Sequence, residues 1–173
     1  HSDIFKTIGH NDKVAILMVH FGTTHDDTRA LTIDAINKKV AQTFPGVEVR
    51  EAYTSRMIMR RLKEKGITKP NPTEAMNKLI ADGYTHLILQ PTNIIEGIEM
   101  EALQKEVASY QTKFKDIRLG TALLHSPEDY QAVVKAIAAS IKDKEKGDCV
   151  FVCHGTYHPA NSTYGMLDYV MKA

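Results

Sequence analysis

Tryptophan is absent from this 173-residue sequence, and cysteine occurs only twice, at Cys149 and Cys153. Four residues of extended chain would separate the two Cα atoms by about 13 Å, which is too far for a disulfide between them. The sequence begins with His1 rather than Met, and no hydrophobic core of a signal peptide follows it. This N-terminus leaves the compartment open; we expect a cytoplasmic location, with a periplasmic or processed, exported form as the alternative.

An excess of charge and long apolar runs are also lacking. The 22 basic and 21 acidic residues leave a net charge of +1, which predicts no nucleic-acid partner and no membrane-surface binding. No apolar stretch approaches the roughly 20 residues of a membrane span. Neither G-x-G-x-x-G nor G-x-x-x-x-G-K-[ST] occurs, so the usual dinucleotide and phosphate loops are missing.

What the sequence does contain, from Lys13 onward, is an alternation of apolar strands and amphipathic helices. Strands are predicted at 14–19, 47–53, 86–90 and within 117–124. Predicted helices follow them, and the apolar stripe of the first is formed by Leu31, Ile36, Val40 and Phe44. This alternation predicts an α/β fold with a doubly wound parallel sheet and strand order 2-1-3-4.

The stretch DCVFVCHGTYH (148–158) predicts a fifth, buried strand at 150–152, followed by a loop with two histidines and a helix near 161–171. It repeats an earlier pattern, since MVHFGTTH (18–25) and VCHGTYH (152–158) share an apolar strand, a His and Gly-Thr-x-His. We interpret this echo as an internal duplication. The predicted organisation is a complete domain at 12–143, a linker at 142–147 and the opening of a second domain at 148–173.

Histidines and glutamates gather in the loops after the predicted strands, where open α/β sheets bind ligands. Imidazole and carboxylate suit a divalent ion such as Co, Fe, Ni or Zn. Each of four candidates also has a structural alternative. His20 could bond to the backbone, His25 and His158 could start helices, and Glu101 could interact favourably with a helix dipole. The candidates are His20, His25, Glu96, Glu99, Glu101, His154 and His158.

Five segments together resemble the class II tetrapyrrole metal chelatases, specifically the anaerobic cobalt chelatase (CbiK-type) branch. They are FGTTHDDT (21–28), EAYTSRMIMRRLKEKGI (51–67), NIIEGIEMEAL (93–103), RLGTALLHSPEDY (118–130) and VFVCHGTYH (150–158). The resemblance implies two flavodoxin-like halves with a tetrapyrrole cleft between them. It also implies insertion of Co²⁺, or of Fe²⁺ or Ni²⁺, into sirohydrochlorin or a related macrocycle without a nucleotide.

The same resemblance implies roles for single residues. His154 matches the metal-binding His of the family's H-G-x-x-H loop, and a strand-end His such as His20 binds metal in short, dimerising relatives. A further Glu and His of the family lie beyond Ala173, so activity of the 173 residues alone is an open question. Proton transfer is expected from His154 and Glu99, and substrate binding from Thr23, Thr54, Ser55, Arg56, Asn93, Glu96, Gly97 and His158.

Two other functions remain open at this stage. One is a non-catalytic module derived from a chelatase that holds haem or a metal. The other is a flavodoxin-like receiver or nucleotide-binding protein that uses FGTT as a phosphate loop. Residues 149–173 carry apolar faces, so we expect a homo-oligomer in which this segment pairs with a second copy, with docking on its own sheet as the alternative.

Overall fold

A computed structural model of the chain describes residues 3–141 and 147–173. It divides into two compact units. Unit 1 comprises residues 1–92 and 102–120, and unit 2 comprises residues 93–101 and 121–173. The predicted linker at 142–147 lies, apart from Gly147, outside the described residues.

Unit 1 is built on a parallel four-stranded sheet, in which the second strand of the chain lies at one edge, followed by the first, the third and the fourth. Ile16 lies opposite Val49 on one neighbouring strand and Ile88 on the other, and Leu89 lies opposite Leu119. The predicted fold class and strand order are confirmed, although the fourth strand ends at Leu119 rather than extending toward residue 124. The strands are β1 (Val14–His20), β2 (Glu48–Tyr53), β3 (His86–Pro91) and β4 (Asp116–Leu119).

The core of unit 1 explains why β1 occupies the centre of the sheet. Its residues from Ala15 to His20 are all buried, as expected for a parallel strand covered on both faces. A large apolar cluster joins β1 and β3 to α4 (Pro72–Ala81) and α5 (Ile98–Ala108). A smaller cluster joins Tyr53 and Ile33 to Leu62 of α3 (Arg56–Glu64).

Local signals place the helix starts where the sequence predicts them. Ser55 accepts a hydrogen bond from the Ile58 amide at the start of α3, and Asn71 with Glu74 forms a capping box before α4. Ser126 and Asp129 exchange backbone-to-side-chain hydrogen bonds at the start of α6 (Pro127–Ile141).

The predicted apolar stripe of the first helix is wrong. The helix begins as α1 (Asp26–Arg29), passes through a π-helical segment (Ala30–Asp34) and continues as α2 (Ala35–Thr43). Leu31 lies inside the π segment and is 80% exposed, whereas Ile33 is buried. A π turn bonds residue i to i+5, so the 3.6-residue spacing behind the prediction does not hold across this segment.

Unit 2 contains the loop 93–97, the first turn of α5, helix α6, a short 3₁₀ helix (Pro159–Asn161) and α7 (Ser162–Lys172). The predicted final helix is confirmed, but the predicted buried strand at 150–152 is wrong. Val150 is 83% and Val152 92% exposed, and no strand of the described residues pairs with them. An apolar run becomes a strand only where a neighbouring strand supplies its hydrogen bonds. No strand in the described part of the chain lies beside residues 150–152 in this way.

No helix in the described part of the chain is both long enough and apolar enough to cross a membrane.

Candidate functional site

The loops that follow β1 and β2 are tied together at the carboxyl edge of the sheet in unit 1. The amide of Thr54 donates to His20 O at 2.9 Å, and the amide of Ser55 donates to Phe21 O at 3.1 Å. Gly22 turns the first loop with φ +102°, and a Cβ there would lie 2.6 Å from the Tyr53 ring. A glycine is therefore required for the two loops to approach this closely.

His20 ends β1 as a buried side chain whose two ring nitrogens are both hydrogen-bonded. It is only 2% exposed. Its Nδ1 lies 2.8 Å from Thr92 Oγ1, and its Nε2 lies 2.8 Å from Asn37 Oδ1. An imidazole in this arrangement has no lone pair left for a metal unless one of the two hydrogen bonds is broken.

The partners of His20 define its tautomer. Asn37 uses its amide nitrogen to donate to Glu51 at 2.8 Å, so its oxygen accepts the proton on His20 Nε2. Glu51 is in turn paired with the Lys69 ammonium. Burial lowers the pKa of His20 below its usual value, against the opposing effects of the Asn37 hydrogen bond and the Glu51 charge. His20 is therefore neutral near pH 7.

The other candidates of unit 1 lie in the same two loops. Thr23 Oγ1 accepts a hydrogen bond from the His25 amide at 3.2 Å, and Ser55 caps α3. The buried hydroxyl of Thr54 has no hydrogen-bond partner among the described residues. Arg56 begins α3 as an exposed residue, and its guanidinium has no ion pair within the described ranges. Thr54 and Arg56 thus retain unused donors.

Tyr53 lies beneath these loops, and its hydroxyl is also buried without a partner among the described residues. Burial raises the pKa of Tyr53 to about 12, helped by the nearby Glu51 charge. Its ring meets His20 edge-on, with the ring centroids 6.3 Å apart. Tyr53 is thus an inert, neutral support for the two loops at physiological pH.

The loop 93–97 of unit 2 is held by residues 121–125 of the same unit. The carbonyl of Asn93 accepts from the Leu123 amide at 2.9 Å. Glu96 accepts from the Ala122 amide at 2.8 Å and lies 3.3 Å from His125 Nδ1. Glu96 is therefore engaged in holding the loop, and the carboxylate of Glu96 is only partly available to a ligand.

Gly97 and Glu99 mark the start of α5. The buried Gly97 accepts the hydrogen bond of the Glu101 amide through its carbonyl at 3.1 Å. Glu99 is exposed in the first turn of the helix, and its carboxylate has no partner among the described residues. Of the three candidate glutamates, Glu99 is the one with a free carboxylate, since Glu96 holds the loop and Glu101 is bonded to His158.

His158 is fully hydrogen-bonded within unit 2. Its Nδ1 accepts from the Ala160 amide at 3.0 Å, which caps the 3₁₀ helix. The proton consequently lies on Nε2, which donates to Glu101 Oε1 at 2.7 Å. Glu101 also stands in the first turn of α5, where an acidic residue favours the helix dipole.

His154 differs from His20 and His158 because one ring nitrogen is free. The side chain is exposed, and its Nδ1 donates to the carbonyl of Gly155 at 3.0 Å. This bond places the proton on Nδ1 and leaves the Nε2 lone pair without a partner among the described residues. Gly155 turns the loop with φ +73°, as Gly22 turns its counterpart with φ +102°, so the sequence echo extends to backbone conformation.

The candidate residues divide between the two units. Unit 1 holds His20, Thr23, Thr54, Ser55 and Arg56, and unit 2 holds Asn93, Glu96, Gly97, Glu99, His154 and His158. No group of three or more His, Cys, Asp or Glu side chains suited to a metal ion occurs among the described residues.

Sequence reasoning missed the partners of His20, namely Asn37, Glu51, Lys69 and Thr92. One signal was present in β2. Glu51 and Tyr53 are two residues apart and so lie on one face of the strand, which places a carboxylate on the face that carries a fully buried tyrosine.

A parallel sheet whose central strand ends at a histidine, in a sequence without a glycine-rich phosphate loop, defines a chelatase-like α/β protein. The family model for cobalt chelatase (CbiK) matches residues 14–173, and the chain therefore belongs to the CbiK cobalt chelatase family.

Two curated relatives are longer than this chain, as the covered share of each shows. The chain is 36% identical over 165 residues to the sirohydrochlorin cobaltochelatase of Salmonella typhimurium, covering 93% of this chain and 62% of the relative. It is 32% identical over 159 residues to the sirohydrochlorin cobaltochelatase CbiKC of Nitratidesulfovibrio vulgaris, covering 90% and 56%. The chain thus spans about three fifths of the length of these curated relatives.

Proposed function

We propose that the protein to which this chain belongs inserts Co²⁺ into sirohydrochlorin or a related tetrapyrrole, as a metal chelatase of tetrapyrrole or cobalamin biosynthesis. The observation that carries the proposal is the free Nε2 of His154 in a loop that matches the family's H-G-x-x-H pattern. Family membership and the names of the two relatives support the reaction and the metal. Fe²⁺ and Ni²⁺ are the alternative metals for the same imidazole and carboxylate donors.

In the proposed mechanism His154 receives the metal substrate through Nε2. Metal-binding histidines usually donate their other N–H to a carbonyl or carboxylate, which fixes the ring and its tautomer. The Nδ1 donation to Gly155 already provides this. Holding the ion next to the macrocycle converts a bimolecular encounter into a positioned one, which supplies much of the rate enhancement.

Insertion releases two protons, because two pyrrole N–H groups lose their hydrogens as the nitrogens bind the divalent ion. The free carboxylate of Glu99 is a suitable acceptor for one proton, since it has no competing partner among the described residues. Solvent or a further basic group takes the second. His20 is not used as a metal ligand in this scheme, because both of its ring nitrogens are already bonded.

The macrocycle has a flat apolar ring and many carboxylates, and the proposed substrate contacts include groups suited to each. Arg56, with the Thr54–Ser55 turn and the loop starts at Thr23 and Asn93, supplies cationic or hydrogen-bonding groups for the carboxylates. Two apolar side chains next to these groups in the sequence are exposed, Phe21 at 51% and Met57 at 52%. Exposed apolar side chains of this size favour contact with the ring face.

The test is cobalt insertion, followed by the absorbance change of sirohydrochlorin. His154→Ala removes the proposed ligand, and we expect a loss of more than about a hundredfold, since even residues that merely orient a ligand typically cost about 10–100-fold. The matched control is His10→Ala, at an exposed histidine outside the loops, which we expect to leave the rate unchanged. Insertion by His154→Ala within tenfold of the wild-type rate would refute the assignment.

The alternative function is a non-catalytic module that holds haem or a metal. The free Nε2 of His154 would serve a metal ion that is held as well as one that is passed on. Tetrapyrrole binding without any metallated product, at every cobalt concentration tried, would support this alternative over catalysis.

A further inference from the structure

A cleft of about 310 Å³ lies in unit 1 between α3 and the segment that leads into α4. Three cationic residues line it from α3, and a second wall comes from Thr68 and Asn71. This volume is at the lower end of the roughly 300–1,000 Å³ typical of small-molecule sites. It is too small to enclose a tetrapyrrole, so it is not the site proposed above.

The three cations share one face of the helix. Arg56, Arg60 and Lys63 are spaced i, i+4 and i+7, which places them in a row along α3. All three are exposed, and none has a hydrogen bond or ion pair to another described residue. Like charges at this spacing repel each other, so the arrangement does not stabilise the helix by itself.

Of the two other charged residues at the cleft, Lys69 is paired with a carboxylate, and Glu74 accepts hydrogen bonds from a neutral side chain and backbone. Lys69 is bound to Glu51 and lies 5.5 Å from the centre of the Tyr53 ring. The lining includes one carboxylate, Glu74, whose oxygens face the backbone and side-chain nitrogens of Asn71 at 3.4 and 3.1 Å. Unpaired positive charge therefore dominates the cleft, although the net charge of the whole chain is only +1.

We propose that this cleft binds a small anion that carries at least two carboxylate or phosphate groups. Guanidinium groups bind both kinds of oxyanion through paired N–H donors, and Lys63 adds a point charge. The Thr68 hydroxyl provides a neutral polar contact on the opposite wall, where Asn71 is engaged with Glu74. The proposal does not depend on the chelatase function, and Arg56 is the one residue that the two proposals share.

The experiment is calorimetric titration of the 173-residue chain with inorganic pyrophosphate and, separately, with tricarballylate. We expect saturable binding of at least one probe to a single site, weakened by added salt. The stronger probe identifies phosphate or carboxylate as the preferred group. Arg60→Ala should weaken binding about tenfold, the usual cost of one charge-assisted hydrogen bond.

Arg61→Ala is the matched control, because Arg61 is an exposed cation on the same helix that does not line the cleft. It removes the same charge, and we expect less than a twofold effect. Equal losses of affinity in the two variants would show that the probes are attracted only by net charge, which would overturn the proposal. The absence of binding by both probes would overturn it as well. Thermal unfolding followed by circular dichroism establishes that both variants are folded. The result of this titration does not depend on the result of the cobalt-insertion test with His154→Ala.

Discussion

The three histidines His20, His154 and His158 show how the neighbours of a side chain decide its role. His20 is buried between two side-chain partners, and His158 is bonded at both ring nitrogens. His154 is exposed, with one nitrogen free. A free, solvent-accessible lone pair is what a metal ion requires, so the residue type alone does not distinguish a ligand from a structural histidine.

His20→Ala should destabilise unit 1 by about 2–4 kcal/mol, because it opens a cavity and leaves Thr92 and Asn37 without their buried partner. Urea unfolding measures the change. The exposed His10→Ala should alter the free energy of unfolding by less than about 0.5 kcal/mol. A His20 variant as stable as the wild type would contradict a structural role for this network.

The same residue predicts a pH dependence of stability. The pKa of His20 is lowered in the folded state by burial, whereas in the unfolded chain it has its ordinary value of 6.5. Below pH 6.5 the unfolded state binds a proton that the folded state does not, so stability falls as the pH drops from 6.5 toward the lowered value. Above pH 6.5 His20 is neutral in both states, so its titration no longer reduces the free energy of unfolding.

The measurement is the difference in unfolding free energy between wild type and His20→Asn from pH 7.5 downward. Other titrating groups contribute equally to both proteins, so the difference isolates His20. The advantage of the wild type should shrink below pH 6.5. A difference that stays constant from pH 7.5 to pH 5 would show that His20 titrates normally.

At the scale of elements, the turn after β1 depends on a glycine for two separate reasons. Gly22 has a positive φ, and its position also has no room for a Cβ beside the Tyr53 ring. The turn is therefore specified by its contact with β2, and the helix that follows it contains a π-helical segment, Ala30–Asp34.

Gly22→Ala should cost about 3 kcal/mol or more, since backbone strain of about 1–3 kcal/mol adds to a steric clash. Gly66→Ala is the matched control, because Gly66 has φ +81° but no atom within 4 Å of the position that a Cβ would occupy. Its cost should be the backbone strain alone. Thermal unfolding compares the two, and equal costs would mean that the contact with Tyr53 does not constrain the turn.

At the scale of the whole molecule, the exposed segment 150–152 is the basis of a prediction about self-association. Val150 and Val152 are almost fully in water, and their backbone groups have no strand partner in the described part of the chain. Apolar surface left in water forgoes roughly 25 cal/mol per Å², and an unpaired apolar edge favours association with a second strand.

We predict that the purified 173-residue chain self-associates at micromolar concentrations. Sedimentation velocity should show a dimer for the wild type and a monomer for the double variant Val150→Lys, Val152→Lys. Leu31→Lys changes a similarly exposed apolar residue in unit 1 and should leave the dimer intact. A wild type that stays monomeric, with residues 149–173 protected from hydrogen exchange, would instead support docking within one chain.

The sequence by itself determined the features that depend on neighbouring residues. Alternating strands and helices predicted the parallel sheet and its order, and caps such as Asn71 with Glu74 predicted helix starts, because periodicity and capping act over a few residues. Only the tertiary structure decided that 150–152 is not a strand, that Leu31 is exposed, and that His20 is neutral and fully bonded. Strand pairing and burial depend on distant parts of the chain, and the partners of His20 lie 17 and 72 residues away.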